Sequence, residues 1–231
     1  MIKDDLKELA DIKKADILQG FFKTGKGEYG EGDIFLGLNS QQIKDTAEKY
    51  KEMNLKEIKS LLASRIHEDR ACALRILTYQ YQRLKQKQQE KEIVDFYLAN
   101  RQGINNWDLV DMSSYKIIGD FLIDKDKNIL YELARGNLWE RRIAVVSCYA
   151  FIRHGDFKDI LRISELLLDD KEDLIHKAVG WMLRETGKRD ENTLINFLEK
   201  NYKKMPRTML RYAIEKIDEE KRKGFLIKRT K

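Results

Sequence analysis

Proline is almost missing from this sequence: Pro206 alone interrupts 231 residues. A chain so free of helix breakers, with Leu-, Ile-, Lys- and Glu-rich segments recurring at helical period, reads as all-α. Cysteine is nearly as scarce. Cys72 and Cys148 share no CxxC spacing and lie in apolar stretches, which argues against a disulfide framework or a thiolate zinc site and predicts buried thiols. The three histidines, His67, His154 and His176, are scattered and form no HExxH pair, so no metal is expected, and no organic cofactor is indicated. No apolar run approaches the roughly 18 residues of a membrane span. The opening MIKDDLKELADIKK carries acids and lacks the apolar stretch of a secretory signal, so a cytoplasmic protein without a membrane partner is expected.

Charge is what the chain has in quantity. Charged residues make up 36 % and hydrophobic ones 42 %, with a mean hydropathy of −0.61. The net charge of +6 and pI near 9.1 favour a polyanionic partner. The apolar share suffices for a real core, and the length fits one domain, two small ones or a single repeat array.

Apolar periodicity predicts helices over 2–20, 40–52, 55–67, 70–86, 89–101, 106–123, 126–135, 137–153, 156–168, 171–186, 190–201 and 206–222. In the second half, the pairs 137–153 with 156–168 and 171–186 with 190–201 repeat at about 35 residues, the pattern of HEAT-like helical pairs stacked into a solenoid. No Pro- or Ser-rich linker separates the halves, so one domain over 1–231 is the expectation. The segment FFKTGKGEYGEGDIFLG (21–37) crowds its glycines around Lys23 and Lys26. It reads either as backbone amides cradling a phosphate or as a long ordered loop between helices, and it matches neither a P-loop nor a dinucleotide fingerprint. The basic tail KRKGFLIKRTK (221–231) reads as a frayed end or a nucleic-acid arm.

Four stretches carry chemistry. In NNWDLVD (105–111), Asn105 or Asn106 caps a helix on which Trp107 and Asp111, four residues apart, share a face. That face is either a wet, aromatic-walled site or a core tryptophan with an acid completing a helix start. In LWERRIAVV (138–146), Trp139 and Arg142 share a face of a mostly apolar helix. A cation there needs an anion, either an acid in the core or a phosphate. In IHKAVGWMLRE (175–185), Trp181 borders an apolar stripe with Lys177 and Arg184 beside it, a surface to grip sugar and phosphate or simply cations packed on a half-buried indole. In KKMPRTMLRY (203–212), Arg207 and Arg211 form a ridge for a phosphate backbone or for water. All three tryptophans thus sit beside an Asp or Arg in successive repeats, and equivalent positions of a stacked solenoid line one concave wall.

These residues are familiar as a set. NNWDLVD, LWERRIAVVS, IHKAVGWMLRE, MPRTMLRYAIEK and the FKTGKGEYGEGDIFLG loop resemble the DNA alkylation repair family of HEAT-like repeats, the AlkD-type DNA glycosylases. The resemblance implies a right-handed α-α superhelix that wraps duplex DNA in a basic cleft and excises cationic alkylated purines, chiefly N3-methyladenine and N7-methylguanine. It implies Asp111 as the catalytic aspartate, Trp107 and Trp181 as the cleft tryptophans and Arg142 as the catalytic-site arginine. Trp139, Lys177, Arg184, Arg207 and Arg211 are the expected DNA contacts. The expected product is an abasic site, formed without lyase chemistry by a monomer acting on double-stranded DNA. Two departures stand out: the family often carries a tryptophan pair where this chain has Asn106–Trp107, and a cleft tyrosine of the N-terminal helices has no clear counterpart. A DNA-binding solenoid that recognises damaged or branched DNA without chemistry is the alternative, and a protein scaffold with an apolar or acidic groove a third.

Overall fold

The computed structural model describes residues 1–228, so the end of the basic tail, 229–231, lies outside the described residues. Among these the regular structure is helical, and the extended backbone amounts to one isolated parallel bridge, Ile34 with Ile66. The helices are α1 (Ile2–Glu8), α2 (Ile12–Phe21), α3 (Ser40–Lys49), α4 (Leu55–Leu62), α5 (His67–Lys85), α6 (Lys91–Ala99), α7 (Trp107–Ser114), α8 (Asn128–Leu133), α9 (Leu138–Ser147), α10 (Tyr149–Arg153), α11 (Lys158–Leu166), α12 (Asp173–Gly187), α13 (Glu191–Asn201), α14 (Arg207–Ala213) and α15 (Glu219–Lys228). They fall into two compact units, Met1–Ser113 and Ser114–Lys231. No helix of the described residues is long and apolar enough to cross a membrane.

The helix starts follow side-chain chemistry. Asn39, Asn54, Asn137 and Asp190 accept backbone amides of the first turns of α3, α4, α9 and α13, satisfying donors that a helix cannot pair internally. Gln42 and Glu140 return bonds to the capping residues, completing capping boxes.

Several boundaries differ from the sequence reading, each for a local or tertiary reason. The stretch 2–20 is two helices, because the backbone N–H of Asp11 donates to the Leu36 carbonyl while its carboxylate caps α2 through Lys14. The helix expected to reach residue 67 stops at Leu62. The backbone of 65–67 instead pairs with Ile34, which donates to the Arg65 carbonyl and accepts from His67. The stretch 106–123 leaves α7 through a wider π-helical turn, Tyr115–Gly119. A Cβ added at Gly119 would come 2.2 Å from the Ser147 carbonyl oxygen. The stretch 137–153 divides at Cys148 into α9 and α10, and 206–222 divides between α14 and α15.

In the first unit, α5 is the central helix and packs against α1, α3, α4 and α6. Its Leu74, Ile76, Leu77 and Tyr81 are buried, as are Ile58 and Leu61 of α4 and Tyr97 of α6. A smaller apolar cluster of Ala15, Phe22 and Phe35 has Leu18 and Trp107 against it. In the second unit, α12 packs against α9, α10, α11, α13 and α14. The successive helices α9, α12 and α14 begin at Leu138, Asp173 and Arg207, a spacing close to the repeat expected from the sequence. Gly180 lets α14 approach α12, since a Cβ there would lie 2.5 Å from the Met209 carbonyl oxygen. Both cysteines are buried free thiols, and burial pushes Cys72 up to about 12.

Candidate active site

In the first unit, the helix start predicted to carry Trp107 and Asp111 exists as α7. Trp107 is its first residue, and Asp111 follows one turn later, half-buried. The indole is built into a stack of rings. It lies nearly parallel to Phe22 (centroids 5.1 Å, 18° between planes) and edge-on to Phe21 at 5.9 Å. Its Nε1–H donates to the Tyr29 hydroxyl at 3.2 Å. Phe22 in turn stacks on Phe35 at 4.9 Å. Rings at such separations add attraction beyond their buried area, so the half-buried indole has one defined orientation.

Beneath this stack lies a buried polar network. His67, 3 % exposed, sits between two carboxylates, with Nδ1 3.4 Å from Asp33 Oδ2 and Nε2 2.8 Å from Asp108 Oδ2. Its ring is stacked on Phe35 at 4.4 Å and tilted against Phe22 at 5.1 Å. Asp33 also accepts from Arg70 Nη2 at 2.6 Å and from Asn106 Nδ2 at 3.4 Å. Burial works against the Asp33 carboxylate, yet hydrogen bonds from His67 and Asn106 and the charges of Arg70 and His67 hold it below the usual carboxylate range. For His67, burial opposes the imidazolium, and the bonds to Asp108 and Asp33 outweigh it and raise the group above 6.5.

The glycine-rich loop is ordered by its own acids. Glu28 accepts from the Gly25 amide at 3.0 Å and Glu31 from the Gly27 amide at 2.8 Å. Those amides therefore already hold carboxylates, which favours the ordered-loop reading over a phosphate cradle. The loop closes on α5 through Glu68, whose carboxylate accepts the backbone amides of Leu36, Gly37 and Leu38.

In the second unit, Arg142 is 5 % exposed, and its Nη1 donates to the Leu174 carbonyl at 2.6 Å. The buried cation is thus met by a carbonyl oxygen just inside α12. Trp139 is half-buried in the first turn of α9, its amide held by Asn137. Trp181 is half-buried and belongs to an aromatic series, 6.2 Å from Tyr149, which meets Tyr115 edge-on at 5.3 Å. Lys177 pairs with Asp173 at 2.8 Å, and Arg184 pairs with Glu215. Arg207 and Arg211 stand exposed one turn apart on α14.

With this geometry described, comparison with known proteins is decisive on kinship. A family model for DNA alkylation repair enzymes matches residues 2–217, through both units. The chain belongs to the DNA alkylation repair enzyme family. A solved structure from Enterococcus faecalis, described as a predicted DNA alkylation repair enzyme, superposes with a TM-score of 0.72. The match covers 91 % of this chain and 97 % of that one at 16 % identity. That likeness establishes the shared all-helical repeat fold. No curated protein matches the sequence.

For this DNA alkylation repair family member, one departure noted in the sequence acquires a structural account. Asn106, in place of an aromatic, is wholly buried. Its Oδ1 accepts from the Trp107 amide at 2.8 Å and its Nδ2 reaches Asp33, so it anchors α7 from within. Tyr29 of the glycine-rich loop lies beside Trp107, its hydroxyl accepting from the indole Nε1–H. Sequence reasoning also missed Asp33, His67 and Asp108. The signal available was the run His67–Glu68–Asp69–Arg70, four polar residues ahead of the apolar face of α5. Such a run reads as a solvated helix start, yet all four are buried.

Proposed function

We propose that this protein is a DNA glycosylase that hydrolyses the N-glycosidic bond of cationic alkylated purines, N3-methyladenine and N7-methylguanine, in duplex DNA. The supporting observation is Trp107 oriented by Phe22, Phe21 and Tyr29 at the start of the helix that also presents Asp111. Alkylation at N3 or N7 makes the purine cationic and a good leaving group. As the bond to C1′ breaks, positive charge moves onto the sugar. The step needs an anion near C1′ and a water to attack it, not a strong acid for the base. Asp111 supplies the anion and orients the water, and the water's oxygen bonds to C1′ as its proton is lost to the carboxylate or solvent. The indole face of Trp107 holds the cationic nucleotide. In the second unit, Trp181 and Arg142 are assigned contacts with the damaged strand, with Trp139, Lys177, Arg184, Arg207 and Arg211 on the DNA backbone.

The test is release of free methylated purines from methylated duplex DNA by wild type and by Asp111→Asn. Release by wild type, with a loss of at least about 10²-fold in the variant and retained DNA binding, is the expected result. Salt-dependent binding without release by wild type would overturn the catalytic reading and leave a DNA-binding repeat protein.

A further inference from the structure

The network under Trp107 has features that packing alone does not require. A neutral imidazole donates one hydrogen bond and accepts one. His67 faces a carboxylate at each ring nitrogen, and both carboxylates are acceptors. Satisfying both contacts takes two N–H groups, so the ring that fits this site is the imidazolium. The ring is 3 % exposed and held against Phe35 and Phe22. The two acidic partners lead directly to α7. Asp108 is the second residue of that helix, and Asp33 is bonded to Asn106, the residue just before it. Phe22, against one side of His67, also stacks on Trp107.

We infer that His67 is a positioning residue: by donating from both ring nitrogens, to Asp33 and to Asp108, it fixes the start of α7 and with it the presentation of Trp107 and Asp111. This inference rests on the proposed role of Asp111 for its effect on catalysis, but not for its effect on structure.

The charged groups around the ring are few and accounted for. Asp33 comes from the glycine-rich loop, Asp108 from α7 and Arg70 from α5 itself, the last opposing the imidazolium. Glu68 and Arg75 of α5 line the same cavity of about 260 Å³. Glu68 is committed to the amides of 36–38, and Arg75 to the Ser40 hydroxyl at 2.7 Å. The balance of two acids against Arg70 favours the charged ring. The sign follows: the bonds are complete at low pH and are lost as pH rises through a folded-state value above 6.5. A neutral ring gives up one of its two carboxylate bonds; Asp33 keeps Arg70 and Asn106 as donors, whereas Asp108 already has one oxygen, Oδ1, buried without a partner.

The experiment combines a structural and a catalytic readout on the full chain. The structural readout is titration of the His67 ring by NMR, assigned with H67Q. Alongside it, emission of Trp107 is followed without DNA in a W139F/W181F chain. The expected result is a His67 midpoint above 6.5 with Trp107 emission changing at the same pH. The catalytic readout is kcat and KM for methylated-purine release against pH. Wild type should lose kcat through that midpoint at nearly constant KM. H67Q should lose roughly tenfold to hundredfold in kcat along with the alkaline limb. D108N, which preserves shape while removing the charge, should move the limb to lower pH and keeps the test available where H67Q does not fold. A His67 midpoint at or below 6.5, or a Trp107 emission indifferent to it, overturns the inference. So does a D108N chain that releases bases with an unmoved limb. A wild type that releases no base, while His67 and Trp107 titrate together, supports the positioning role and removes the glycosylase reading instead.

Discussion

Glu68 offers the sharpest energetic prediction. Its carboxylate is 1 % exposed and accepts three consecutive backbone amides: Leu36 at 2.9 Å on one oxygen, Gly37 at 2.9 Å and Leu38 at 3.3 Å on the other. These bonds dock the end of the glycine-rich loop on α5. In Glu68→Gln, the amide oxygen serves Gly37 and Leu38, while the new NH2 faces the Leu36 N–H, donor against donor. The loss is one charge-assisted hydrogen bond plus a buried unsatisfied donor, together about 3 kcal/mol. Glu68→Ala orphans all three amides and should cost about 5 kcal/mol. Urea unfolding measures the total. Native-state hydrogen exchange measures its location, and the Leu36, Gly37 and Leu38 amides should exchange roughly hundredfold faster in the Gln variant. A loss under about 1 kcal/mol for Glu68→Ala would refute the reasoning. So would exchange that accelerates equally along α3 and α5, which would make the carboxylate a general stabiliser rather than a local clasp.

Other expectations follow from the same structure. Asn137→Ala removes the side-chain half of the α9 capping box, the acceptor for the Trp139 and Glu140 amides, while the residue 137 amide keeps its bond to Glu140; it should cost about 1 kcal/mol in thermal or urea unfolding, and no change would mean that water replaces the cap. Gly180→Ala gains about 1 kcal/mol of helix propensity but drives a methyl into the Met209 carbonyl across the α12–α14 contact. Overpacking of about 1–3 kcal/mol should leave the variant less stable than wild type, and a more stable variant would show that α14 yields freely. His67 should also make folding stability depend on pH. Its contribution is complete below 6.5 and lost as pH rises through the higher folded-state value, so H67Q should flatten the alkaline side of the stability profile in urea titrations.

What could be read in the sequence was what is local. Trp107 and Asp111 are one helical turn apart, and their helix start is marked by Asn106, so α7 was visible without tertiary information. Asn39, Asn54 and Asp190 announce their helices in the same way. The network under Trp107 was invisible because its members are far apart in the chain: His67 meets Asp33 across 34 positions and Asp108 across 41. The early end of α4 has the same cause, since Ile66 leaves the helix to pair with Ile34. The break at Cys148 falls inside a run, 143–152, that only Ser147 interrupts and that holds no glycine or proline to signal a stop. The glycine-rich loop was recognisable as a loop, but its glycine amides are occupied by acids three and four residues on, a detail that depends on the turn the backbone takes.

The cations of α12 have a consequence for how DNA would compete with salt. Lys177 and Arg184 are engaged by Asp173 and Glu215, so a phosphate gains them only by exchanging one anion for another. Each exchange leaves Asp173 or Glu215 to take up a cation from solution, which offsets the counterion that the phosphate releases. Counting Lys177, Arg184, Arg207 and Arg211 as four phosphate contacts gives a slope of log affinity against log salt of about −3.6, whereas Arg207 and Arg211 alone give about −1.8. The shallower dependence would let such a protein keep its hold on duplex DNA over a wider range of ionic strength than its net charge suggests.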